Sequence, residues 1–203
     1  MAGLLSNFRN TIVLSAILAL LFIIAYGMHS PGGFDGSFAQ AVFRWIHVAA
    51  GILWIGLLYY FNFVQIRKMP DIPAELKPAV SKYIAPEALF WFRWAALVTV
   101  LAGIGILAIR GHDYAANVLS FGLAGGGVQT YALMGTGVYL ALIMFLNVWG
   151  IIWPNQKRAL GIVEATPEVK AKAAKIAMLA SRTNLLLSLP MLTAMTMQQT
   201  LFG

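Results

Sequence analysis

Long apolar runs separated by short polar segments organise this chain. Five of them, residues 11–28, 41–64, 88–109, 130–153 and 184–201, are each about 20 residues long and almost uncharged. A helix needs about 20 apolar residues to cross a bilayer, and at 1.5 Å per residue the longer runs cross with some tilt. A membrane β-barrel would instead alternate over about 10 residues. The pattern predicts an all-α fold: one transmembrane domain, a polytopic membrane helical bundle of five transmembrane helices. Between the last two spans, Thr166-Pro167-Glu168 reads as a helix start. The Ala/Lys stretch behind it predicts a cytoplasmic helix over 167–182 that runs into the fifth span, its lysines facing water or headgroups.

Composition agrees with the pattern. Of 203 residues, 60% are hydrophobic and 10% charged, against about 25% charged in soluble domains. That excludes an ordinary soluble domain and a disordered chain. The net charge of +7 implies no nucleic-acid partner, because in a membrane protein the placement of charge matters more than its sum. Arg9, Arg67, Lys68, Lys77, Lys82, Arg93, Lys157, Arg158, Lys170, Lys172, Lys175 and Arg182 fall on one side, and only Arg44 and Arg110 on the other. The positive-inside rule then predicts a cytoplasmic N-terminus and a C-terminus outside. The first span reads as an uncleaved anchor rather than a signal peptide. With no cysteine, disulfides, thiolate metal sites, iron–sulfur clusters and covalent c-type haem are excluded.

The loops and flanks add detail. Pro70, Pro73, Pro78 and Pro86 predict an irregular second loop, with Pro86 and Glu87 in the first turn of the third span. Gly125-Gly126-Gly127 lacks a following Gly-Lys-Ser/Thr and is a loop, not a phosphate cradle. Pro190 is expected to kink the last span. Trp45, Trp91, Trp94, Trp149 and Trp153 fit a membrane-interface belt. Asn147 lies nearest mid-membrane and is expected to bond across helices, and Arg93 to snorkel to the interface.

Candidate chemistry centres on His47. An ionisable residue inside a span is a functional-site hypothesis by default. Arg44, Gly51 and Trp54 share its helix face at i−3, i+4 and i+7. As a cofactor site, His47 would be an axial ligand of haem b, Arg44 would pair with a propionate, Gly51 would leave room and Trp54 would flank the ring. Two other readings stay open, a structural hydrogen bond and proton handling. His29, His112, Met28 and Met134 are candidates for a second ligand. His29, His47 and His112 all fall toward the outer face, so a metal site using the three is also open. No span contains a carboxylate, which argues against an acid-based ion relay, and no catalytic set is identified.

These residues reach a family. The run 44–56, Arg-Trp-Ile-His-Val-Ala-Ala-Gly-Ile-Leu-Trp-Ile-Gly, resembles a span of the urate oxidase N-terminal membrane domain of PuuD-type urate hydroxylases. Met144-Phe145-Leu146-Asn147-Val148-Trp149 with Ile152-Trp153-Pro154-Asn155-Gln156-Lys157 is similar to its segment ending in IPNQK. Asn184-Leu185-Leu186-Leu187-Ser188-Leu189-Pro190-Met191-Leu192 is similar to its NNYLTLPVL segment. The resemblance covers about residues 40–200. It implies a helical membrane domain tied to redox chemistry, followed in full-length members by a cytochrome c domain. This chain has no Cys-x-x-Cys-His, and Arg182-Thr183 stand where the family motif has a histidine. The expectation is therefore a short form in the bacterial inner membrane, working in electron transfer with a separate cytochrome or oxidase. The alternative is a cofactor-free accessory subunit of a larger membrane complex. A transporter is the third class considered, without an inverted repeat to support it.

Overall fold

A computed structural model describes residues 2–202. After one helical turn, Ala2–Leu5, come six helices: α1 (Phe8–His29), α2 (Gly36–Asp71), α3 (Lys77–Ile109), the short α4 (His112–Leu119), α5 (Gln129–Ala159) and α6 (Pro167–Phe202). The five long ones are apolar enough to cross a membrane, and there is no strand among the described residues. The protein is a multi-pass helical membrane protein.

The helices overrun the apolar stretches that announce them. At 36 residues, α6 is about 54 Å long, well beyond a hydrocarbon core of about 30 Å. It is one helix from Pro167 on, and it continues through Pro190 to Phe202. Its first half buries Ala173, Ala177 and Ala180, while Lys172, Lys175 and Arg182 stay exposed. The proline-rich second loop is irregular only over residues 72–76, because α2 ends in a 3₁₀ turn at Met69–Asp71 and helix resumes at Lys77.

Three π-turns interrupt the long helices, at Tyr60–Gln65, Val80–Ile84 and Val148–Ile152. All lie where α2 and α5 stop or α3 starts, the end of the bundle that carries most of the basic residues. Two have a clear cause. A proline has no N–H and clashes with the carbonyl four residues back. For Pro86 and Pro154 those carbonyls belong to Lys82 and Gly150, each inside a π-turn, where the wider backbone gives room.

Asp35 starts α2. Its carboxylate accepts from the Ser37 hydroxyl at 2.6 Å and the Phe38 N–H at 3.0 Å. These bonds, the hydroxyl first, hold its pKa below the usual aspartate value. The cap therefore stabilises α2 at neutral pH, and the contribution is lost as pH falls through that lowered pKa.

The bundle is two antiparallel pairs. α2 packs along α3 and α5 along α6, and the pairs join through α2–α6 and α3–α5. At the junction Trp54, Leu58, Phe61, Leu89, Phe92, Met144, Val148 and Ile152 form the core. By contrast, α1 buries only Gly27, which lies against Phe34 and Phe38. Most of its apolar side chains are left exposed.

Candidate functional site

The α2–α3 seam alternates large and small residues. Phe43 lies over Gly105, and the His47 ring lies over Gly103, where an added Cβ would sit 3.2 Å from Nδ1 and Cε1. Gly51 meets Thr99, whose methyl would be 3.8 Å from a Cβ at that position. The two helices run antiparallel, so each step of four along α2 is matched by a step back along α3.

His47 is half-buried in this seam, and its Nδ1 is 2.8 Å from the carbonyl oxygen of Thr99. A carbonyl only accepts, so Nδ1 carries the hydrogen and donates. In the neutral ring that leaves Nε2 as an unprotonated lone pair. This is the second-sphere arrangement by which a histidine ligand is oriented. The same bond also serves a purely structural histidine.

The other sequence-predicted residues are dispersed. Arg44 is exposed one turn before His47. Trp54 is only 1% exposed, enclosed in the core, and its indole N–H has no acceptor among the described residues. That placement makes Trp54 a packing group of the helix junction. His29 is exposed at the end of α1 and bonds the Ala25 carbonyl at 2.7 Å. His112 is exposed at the start of α4, 3.7 Å from Asp113. Among the described residues, no group of three His, Asp or Glu side chains is gathered as a metal site.

A second polar centre lies along one face of α6. Asn147 of α5 donates through Nδ2 to Asn184 Oδ1 at 2.7 Å and to the Ala180 carbonyl at 2.8 Å. Asn184, fully buried, donates in turn to the Met144 carbonyl at 3.0 Å. Asn62 of α2 donates to Ser181 Oγ at 2.9 Å, and Tyr59 Oη lies 3.3 Å from Ser188 Oγ. Ser181, Asn184 and Ser188 stand at i, i+3 and i+7, so one stripe of α6 ties α2 and α5 together. Asn147 bonds across helices as expected. Ser181, Ser188, Thr99 and Gly103 were not singled out, although small polar residues and glycines inside apolar spans were the available signal.

Arg93 of α3 reaches Trp153 of α5. Its guanidinium carbon lies 3.9 Å from that ring centroid and 5.2 Å from Phe90. The exposed Trp91 and Trp94 flank it, and Trp94 meets Trp149 edge-on at 5.6 Å. A small pocket of about 30 Å³, lined by Phe61, Gln65, Phe92, Gln156 and Ser181 among others, lies at the same end.

No curated protein and no solved structure matches the chain. One family model does, over a narrower stretch than the motifs suggest. It takes in the two later motifs and leaves His47 and the α2–α3 seam outside. Residues 118–199, from the last turn of α4 through α5 and most of α6, including the Asn147–Asn184 pair, match the urate oxidase N-terminal family.

Proposed function

We propose that this is a redox-associated protein of the bacterial inner membrane. In it His47 offers Nε2 as an axial ligand to a b-type haem, working with a separate cytochrome or oxidase. The observation that carries this reading is the 2.8 Å bond from Nδ1 to the Thr99 carbonyl, which fixes the ring and leaves the other nitrogen available. Gly103 lets the ring lie close against α3. His47, oriented by the Thr99 carbonyl, is the donor this chain would offer to one side of a haem. The pocket of about 30 Å³ lies some 14 residues along α2 from His47, and it is far below the roughly 300–1,000 Å³ of a ligand pocket. A macrocycle at His47 would therefore take its cover from lipid or a partner. Its second ligand would come from Met28, His29, His112, Met134 or that partner. Arg44, exposed on the same helix, is the candidate partner for a propionate. Bound haem supplies one-electron chemistry; the chain's part is to hold and orient it.

A cofactor-free accessory subunit is the second reading. The Asn147–Asn184 pair supports it, because its amide hydrogen bonds join α5 to α6. One experiment separates the two. A reduced-minus-oxidised spectrum of the purified protein, with metal analysis, is expected to show a b-type signal that His47→Ala removes while the protein stays folded. A folded, colourless, metal-free protein refutes the haem reading and favours the subunit.

A further inference from the structure

The basic end of the α3–α5 contact holds two cations that are in none of the ion pairs among the described residues. Arg93 stacks at 3.9 Å on Trp153, and the Lys157 ammonium lies 5.8 Å from the same ring. The ion pairs among the described residues are Lys68–Asp71 and His112–Asp113, and neither includes these two. Glu87, the one carboxylate on α3, accepts the Trp91 indole N–H at 2.8 Å. Arg93 is half-buried, sixteen residues or about 24 Å of helix from Ile109. Its depth is set by Trp153, directly after which α5 turns polar with Asn155, Gln156 and Lys157.

An arginine held beside tryptophans near a span's polar end reaches the headgroups by snorkelling. A guanidinium has five N–H donors and no way to lose its charge. With its face on an indole, its edge is left for a planar two-oxygen acceptor, and a phosphate fits that fork. The exposed Phe90, Trp91 and Trp94 beside it offer apolar and amphipathic surface to acyl chain and glycerol. We propose that Arg93 and Lys157, both set against the Trp153 ring, bind the phosphate of an anionic phospholipid. The flanking aromatics favour a lipid over free phosphate, because a free ion uses none of them.

Native mass spectrometry of the full chain in detergent, supplied with phosphatidylglycerol or phosphatidylcholine, tests this. The expected result is tighter retention of phosphatidylglycerol, weakened about fivefold by Arg93→Gln and by Lys157→Gln, with inorganic phosphate unable to displace it. Both variants are checked for an unchanged elution profile. Lys157→Gln, at the rim, carries the test by itself if Arg93→Gln does not fold. Equal retention of the two lipids, retention unchanged in the folded variants, or displacement by inorganic phosphate each overturns the proposal.

Discussion

Asn184→Leu is expected to lower the stability of the bundle by about 2 kcal/mol. Asn184 is fully buried and accepts from Asn147 at 2.7 Å while donating to the Met144 carbonyl at 3.0 Å. Inter-helix hydrogen bonds in membranes contribute about 0.6 kcal/mol on average and up to about 1.7, so two lost bonds account for most of the figure. Leaving a buried polar group unpaired adds to the cost. Asn147 retains its bond to the Ala180 carbonyl at 2.8 Å, which limits the loss. Asn147→Ala removes the shared bond from the other side. The double variant should therefore cost less than the two single variants together, by about 1 kcal/mol. Unfolding in mixed micelles with increasing denaturing detergent measures all three. Single variants within about 0.5 kcal/mol of the parent would mean that the amide pair contributes little to stability.

How much of this was legible in the sequence varies with the physics involved. Five spans were legible because a bilayer demands about 20 apolar residues and each run meets that demand. Helix ends were legible only where a start signal marked them, as Thr166-Pro167-Glu168 marks the start of α6 at Pro167. Elsewhere hydropathy marks where lipid stops, whereas hydrogen bonding carries α2 on to Asp71. The eight-residue α4 was not anticipated, being too short to show a period. Asn147 was expected to bond across helices, since an amide in hydrocarbon needs a partner, but nothing local names Asn184 or Ala180 as that partner. His47 was conspicuous for the same reason. Its acceptor, the Thr99 carbonyl, lies 52 residues away, and the register of α2 on α3 that brings them together is a property of packing. Trp54 shows the opposite limit: helical spacing put it on the His47 face, yet two turns of distance placed it in the core.

Two alanine substitutions that look alike on paper should act in opposite directions. Gly135 and Gly56 both lie inside apolar helices, and alanine is the better helix former by up to about 1 kcal/mol. At Gly56 an added Cβ meets nothing within 4 Å, so Gly56→Ala should be neutral or slightly stabilising. Gly135 is buried where α4 crosses α5. There an added Cβ overlaps the Val118 backbone carbonyl and crowds the Phe121 ring at 3.3 Å. A side chain swings away from such a contact, but a backbone carbonyl moves only with its helix. Gly135→Ala is therefore expected to push α4 off α5 and cost about 2–3 kcal/mol, at the upper end for overpacking. It should also break the bond from Tyr139 Oη to the Leu119 carbonyl, now 2.9 Å, because that carbonyl moves with α4. Thermal unfolding in detergent gives the sign for each variant, and amide exchange in residues 112–119 reports the displacement. If Gly135→Ala is as harmless as Gly56→Ala, α4 does not rest on α5 through backbone contact. If it is costly while exchange in α4 stays slow, the strain is absorbed within α5 instead.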